Sequence, residues 1–164
     1  EGFISTVTDT HRRRKVTDLF KDVPARLYPV GRLDKDTTGA IVMTNDGLLA
    51  QRLSHPKFEI DKEYSVTIRD DVTDLDISKI ERGVKIDGKL TAPCKIKRQA
   101  LGKYKIVLHE GRKRQIRLMF EIAGSKVVSL ERTKYAGLTL KGLRRGEYRP
   151  LLKKEIEKLK RIGS

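Results

Sequence analysis

The chain has 164 residues, enough for one ordinary domain, or two small halves sharing a core, to bury an interior without covalent staples. Thirty-seven Lys+Arg against 22 Asp+Glu give a formal charge of +15, a balance that suits a polyanionic partner. The lone Cys94 excludes an internal disulfide framework, no run of about 18 apolar residues offers a membrane span, and His11, His55 and His109 lie far from each other and from Cys94 without metal-ligand spacing.

The charge is uneven: residues 101–164 hold 18 Lys/Arg against 6 Asp/Glu. Either this half grips nucleic acid, with strong salt dependence, or it is a solvated surface of the kind found in heat-adapted proteins. With 5% aromatic residues and no Trp, a long stacking platform for single strands is not expected. The chain starts at Glu1, inside what reads as a strand, as a fragment of a longer protein does.

In chain order, Phe3 to Val7 reads as a strand, followed by the basic loop His11 to Lys15 and a short helix from Val16 to Phe20. Leu27 to Val30 and Ala40 to Thr44 are short apolar strands flanking the polar loop Gly31 to Gly39. Asn45 and Asp46 are helix N-caps, Leu48, Leu49 and Leu53 give the helix one apolar face, and Pro56 closes it. Lys62 to Arg69 alternates, with Tyr64, Val66 and Ile68 on one side, as a half-buried strand does. Thr73 or Asp74 caps a helix through Glu81 that Gly83 ends; strands follow at Val84 to Ile86, Ala92 to Arg98 and Tyr104 to Leu108. Ile116, Met119, Phe120 and Ala123 predict a helix from Arg112 to Ala123. Arg112, Lys113, Arg114 and Arg117 crowd its start, where the macrodipole disfavours cations unless an anion is near. Strands at Lys126 to Leu130, Thr139 to Leu140 and Glu147 to Leu151 precede a basic helix from Lys153 to Arg161. The pattern predicts one α+β unit, a mixed and mostly antiparallel sheet core with flanking helices.

The loop Gly31-Arg32-Leu33-Asp34-Lys35-Asp36-Thr37-Thr38-Gly39 packs two carboxylates, two cations and two hydroxyls between strands. Such a loop is either a solvated turn or a site on rigid supports. Asp34 and Asp36 alone could suggest a metal-dependent nuclease, but no second acidic motif accompanies them, so no metal is expected.

Together with Tyr28-Pro29-Val30 before it and Thr44-Asn45-Asp46-Gly47 after it, this loop resembles the central motif of the RsuA family of bacterial ribosomal RNA pseudouridine synthases. His55-Pro56, Lys62-Glu63-Tyr64, Glu110-Gly111-Arg112-Lys113-Arg114-Gln115-Ile116-Arg117 and the ending Gly146-Glu147-Tyr148-Arg149-Pro150-Leu151 match in the same order, so the resemblance spans almost the whole chain. It implies the pseudouridine synthase fold over 1–164, as one catalytic domain or two sub-halves sharing a sheet. The family's S4-type RNA-binding domain and its Lys-Pro pair do not stand ahead of the first strand in this chain.

The resemblance also implies roles. Asp34 matches the essential catalytic carboxylate, Tyr64 the tyrosine against the target base, Arg117 the basic partner of that carboxylate, and Arg32 the arginine that holds the opened nucleotide. An arginine against a carboxylate stabilises its charge and fixes its orientation. The target base must be flipped out of its helix before any group can reach it. Lys62, Arg12, Arg13, Arg14, Lys15, Arg112, Lys113 and Arg114 are expected to bind RNA, mostly through phosphate. No cofactor is implied, because the isomerisation involves no net oxidation and adds no group. The resulting expectations are a cytoplasmic monomer that acts on structured ribosomal RNA, in a stem-loop, without a membrane. A non-catalytic RNA-binding assembly factor on the same scaffold is the alternative.

Overall fold

A computed structural model describes residue 5 and residues 14–163. The strand expected at Phe3 to Val7, apart from Ser5, and the basic residues Arg12 and Arg13 lie outside the described residues. Along the rest of the chain come a 3-10 turn (Val16–Phe20), strands β1 (Tyr28–Val30), β2 (Thr38–Gly39) and β3 (Val42–Thr44), helix α1 (Gly47–Ser54) and a second 3-10 turn (Pro56–Phe58). Strand β4 (Lys62–Ile68), helix α2 (Asp74–Arg82), and strands β5 (Lys85–Ile86), β6 (Lys89–Leu90), β7 (Lys95–Ala100) and β8 (Lys103–Leu108) follow. The chain ends with helix α3 (Gln115–Ile122), strands β9 (Val127–Tyr135) and β10 (Leu138–Thr139), and helix α4 (Lys153–Lys160).

The alternating segment is the centre of the main sheet: β4 pairs antiparallel with β8 on one side and β9 on the other, giving the order β10-β9-β4-β8-β7. β2 adds to β9 in the parallel sense, so the sheet is mixed but mostly antiparallel, and the architecture is α+β. Val66 and Ile68 on β4, Tyr104, Ile106 and Leu108 on β8, and Leu130 on β9 turn to one face and bury there with Met119 and Phe120 of α3 and Ile80 of α2. Burying each such side chain stabilises the fold by about 1.5–3 kcal/mol.

A second core lies beyond β9, where Val30 and Val42 of the β1–β3 pair meet Leu49 and Leu53 of α1, Tyr135 and Leu138, and Leu159 of α4. The two cores meet along β4 and β9, and the open seam between them on the helix-bearing face of the sheet holds the candidate site.

Most caps form as the sequence predicts. Asp46 accepts from the backbone N–H of Leu49 at 3.0 Å to start α1, and Thr73 accepts from Asp76 at 3.2 Å to start α2. Four expectations fail. Leu48 is 70% exposed instead of joining Leu49 and Leu53, because the turn at the start of α1 points it away from the core. α3 begins at Gln115, not Arg112: Arg114 sits at φ +54, a left-handed turn that precedes the helix, so Arg112 to Arg114 form an approach loop. Glu147 to Leu151 is no strand; Arg144 N–H bonds the Glu147 carboxylate at 2.8 Å while Glu147 N–H returns to the Arg144 carbonyl at 3.1 Å, which folds the segment into a turn. β2 forms inside the polar loop, where Thr38 and Gly39 pair with Glu131 and Arg132. That pairing requires glycine: Gly39 has φ +113, and a Cβ there would stand 2.3 Å from the Arg132 carbonyl oxygen.

Candidate active site

The polar loop leaves β1 through Gly31 (φ +71), turns at Asp34, whose carbonyl accepts from the Thr37 N–H at 2.9 Å, and is pinned at Leu33 by a 3.0 Å bond to the Ser5 hydroxyl. From Gly39 onward β2 and β3 anchor it. This fixed turn presents the half-buried Asp34 to a cleft of about 490 Å³, whose walls include Arg32, Lys62, Tyr64, Lys113 and Arg132. Asp34 and Tyr64 come from segments 30 residues apart in sequence and open onto the same cavity, because Tyr64 shares the inward parity of Val66 and Ile68 on β4.

The sequence reading missed Arg132. It lies on β9 directly opposite Tyr64, is 2% exposed, and stacks 4.7 Å over the Tyr135 ring. Its Nε donates to the Ala40 carbonyl at 2.7 Å and its Nη1 to the Arg32 carbonyl at 3.4 Å, so it grips the polar loop at both ends. Its Nη2 has no hydrogen-bond partner among the described residues. A buried guanidinium with an unpaired donor costs about 1–3 kcal/mol, a cost that an anion or a bound water at the cleft would offset. Beneath it Tyr135 donates to the Leu53 carbonyl at 2.9 Å, which fixes the ring on which Arg132 rests.

Lys62 lies at the same end of the cleft and donates to the His109 carbonyl at 2.5 Å and the Ile60 carbonyl at 3.2 Å. Burial, and then the positive charge of Arg132, pull its ammonium down to about 8. Its contacts clamp β4 to the end of β8 at the cleft wall.

Arg117 does not hold Asp34. Its Nη2 donates to the Asp36 carbonyl at 2.7 Å, its Nη1 to the Val127 carbonyl at 3.0 Å, and its Nε lies 3.3 Å from the Asp36 carboxylate. Arg114 adds contacts of 3.2 Å to both carboxylate oxygens of Asp36. The reason lies in the turn: two residues past Asp34 the loop faces α3, away from the cleft. Burial alone would raise the Asp36 carboxyl, but its own backbone hydrogen bond and the two arginines more than offset this and hold it below the usual range. Asp34 and Asp36 thus face different surroundings, against the pairing a two-carboxylate nuclease needs.

Arg112, expected on phosphate, is likewise occupied. Its Nε and Nη2 bond Glu110 at 3.2 and 3.0 Å, and its Nη1 and Nη2 donate to the carbonyls of Lys89 and Leu90. Glu110 also accepts from Ala92 N–H at 2.9 Å and Gln115 Nε2 at 2.8 Å, making it the hub that joins the β5–β6 hairpin to the approach of α3. Arg32, Arg14 and Lys113 are exposed, with Arg32 and Lys113 on the cleft. Lys15 is half-buried, and its backbone N–H is engaged by Asp18 at 2.8 Å.

The sequence matches the RNA pseudouridylate synthase family over residues 1–122. It is 43% identical to the ribosomal large subunit pseudouridine synthase B of Bacillus subtilis (strain 168), covering 99% of this chain and 69% of that protein. To the dual-specificity RNA pseudouridine synthase RluF of Escherichia coli (strain K12) it is 38% identical over 94% of this chain, spanning 53% of that protein. To the ribosomal small subunit pseudouridine synthase A of Salmonella typhimurium it is 33% identical over 95% of this chain and 69% of that protein. A crystal structure of a pseudouridylate synthase superposes with a TM-score of 0.88 at 34% identity, covering 97% of this chain and 70% of that one. A loop that presents one carboxylate to a cleft shared with a tyrosine and a buried arginine, on a fold and sequence of this kind, places the chain in the RNA pseudouridylate synthase family.

Proposed function

We propose that this chain isomerises a uridine of ribosomal RNA to pseudouridine, with Asp34 as the catalytic carboxylate, Tyr64 against the flipped base and Arg132, in place of Arg117, as the cationic partner. The observation that supports this reading is that Asp34, Tyr64 and Arg132 line one cleft, with the buried Arg132 Nη2 left without a partner among the described residues.

The chemistry breaks the bond between the ribose and uracil nitrogen 1, turns the base, and joins the ribose to carbon 5, whose hydrogen leaves as a proton. That proton is released to water and nitrogen 1 takes up another from water, so substrate and product are isomers. Asp34 acts by attacking the sugar or base, or by stabilising the electron-poor ribose, and both uses need a carboxylate oriented at the base site. Arg132, held at the cleft wall by Ala40, Arg32 and Tyr135, supplies the positive charge that stabilises the carboxylate and the charge that develops on the substrate. Tyr64 offers a flat ring to the uracil, and Arg32, exposed at the rim, offers a cation to the vacated stack or a phosphate.

The relative named for the large subunit, at 43% identity, favours a large-subunit uridine; that the uridine lies in a stem-loop and that the protein acts as a cytoplasmic monomer are part of the same proposal. Among the described residues no helix is long and apolar enough to cross a membrane. Mapping pseudouridine across ribosomal RNA from cells lacking the gene tests the reading. One site is expected to be lost, restored by the wild-type gene and not by Asp34→Asn; an unchanged map overturns it.

A further inference from the structure

We propose that the face of the main sheet turned away from the cleft is a second RNA-binding surface, on which lysines of β7 and β8 contact the phosphates of helical RNA. The proposal rests on RNA being the polyanion this chain serves.

Strand parity divides the sheet: Tyr64, Val66, Tyr104 and Ile106 turn to the helices and the cleft, so the residues between them turn the other way. On that outer face Lys97 of β7, Lys105 of β8 and Ser65 of β4 are direct cross-strand partners; Lys95 stands two residues along β7, and Lys103 stands opposite Thr67. Lys95, Lys97, Lys103 and Ser65 are exposed, while Lys105 meets Glu63 at 2.8 Å. The three exposed lysines have no ion pair among the described residues. Lys97 directly opposite Lys105 is a like-charge pair, and Glu63 offsets the charge at Lys105 only. An anionic partner offsets it at Lys97.

Lysine on an edge strand can also serve to discourage edge-to-edge aggregation, and β7 is an edge. That explanation does not reach Lys103 and Lys105, which stand on β8 with strands on both sides. Outward residues recur about 6.6 Å apart along a strand and about 4.8 Å apart between strands, so flexible ammonium groups on this grid reach successive phosphates. The outward positions around them, Ser65, Thr67 and the half-buried Val107, carry no aromatic ring and no large exposed apolar side chain. An exposed Leu101 stands at the β7–β8 turn beside this surface, and the Glu63 carboxylate on it is taken up by Lys105 and Lys134 at 2.8 and 3.7 Å. What remains around Lys95, Lys97 and Lys103 is hydroxyl groups and no aromatic platform for unstacked bases, which suits the backbone and 2′-hydroxyls of an RNA helix.

The test compares the whole chain with K95Q/K97Q/K103Q and with a control of equal charge change on α4, K153Q/K154Q/K160Q. Affinity for a fluorescein-labelled RNA duplex is measured against salt, and turnover is measured on a short hairpin bearing a target uridine. The sheet variant is expected to flatten the slope of log K against log salt by about 2.7, the share of three phosphate contacts on a duplex, with hairpin turnover unchanged. An unchanged slope, or an equal flattening by the α4 control, overturns the proposal. So does a sheet variant that loses binding to phosphatidylglycerol vesicles while keeping its RNA slope. Absence of turnover by the wild type on the hairpin counts against the catalytic reading alone, because the slope comparison does not depend on chemistry.

Discussion

Arg117, expected beside Asp34, is bonded to Asp36 and Val127, and the role proposed instead for Arg132 is open to measurement. Arg132 is held by the loop's own carbonyls, lines the cleft and keeps one buried nitrogen unpaired among the described residues; on the proposed role, Arg132→Met is expected to lower kcat by about 10²-fold, the usual effect of losing one preorganised donor, with RNA affinity within a few-fold. A near wild-type kcat contradicts the assignment. Arg117 instead ties Asp36 to β9 and α3. Arg117→Ala and Asp36→Ala are each expected to lower stability by about 1–3 kcal/mol, and the double variant by less than their sum, as a double-mutant cycle in urea would show. Strict additivity contradicts the clasp. Lys62 makes a pH-dependent contribution. Its folded-state pKa, about 8, lies below the ordinary 10.5, so between these values the unfolded chain binds the extra proton and wild-type stability gains as pH rises. Melting temperatures of wild type and Lys62→Met followed from pH 7 to 10 are expected to diverge in the wild type's favour above about pH 8; parallel curves contradict a depressed pKa. Asp34 and Tyr64 were legible in the sequence because each sits in a dense motif. Arg132 was not, since a single arginine between Glu131 and Thr133 reads as surface. One signal was available: Arg132 follows Leu130 by two residues, so an inward Leu130 implies an inward charge.

The elements that place the site differ in how far local sequence determines them. α1, α2 and β4 follow from caps and alternation within a few residues, and their observed bounds agree with the pattern to within one or two residues. β2 and the start of α3 do not, because they depend on partners far along the chain: β2 exists through pairing with β9, and α3 starts late because Arg112 is drawn to the β5–β6 hairpin. A two-residue strand carries no periodicity, and its only local sign is Gly39. Gly39→Ala puts a Cβ against the Arg132 carbonyl at a φ that disfavours alanine. It is expected to lower the melting temperature and reduce kcat together, since the strand it disrupts aligns both Asp34 and Arg132. Full activity with wild-type melting would show that the loop does not need β2. The bulge between Glu63 and Tyr64 is another long-range feature: it offsets the β4–β9 register, so Tyr64 and not its neighbour faces Arg132.

At the scale of the molecule, two cores packed across β4 and β9 leave a seam, and the loop that carries Asp34 lines it from the β1–β3 side. The net charge of +15 was visible from composition, but its use was not: some of the expected phosphate ligands, Arg112 and Arg114 among them, are occupied within the protein, while exposed lysines on the outer sheet face have no ion pair among the described residues. Charge patterning along a sequence cannot distinguish a cation paired across 78 residues, as Arg114 is with Asp36, from one left to solvent. The central claim is that Asp34 carries out the isomerisation within this cleft. Tritium release from ribosomal RNA labelled at uracil carbon 5, compared between the wild type and Asp34→Asn at matched RNA occupancy, tests it most directly. The account predicts release by the wild type without added metal and none above background by Asp34→Asn, with RNA affinity within a few-fold. Release by Asp34→Asn at a rate comparable to wild type, or none by the wild type with RNA saturating, would contradict it.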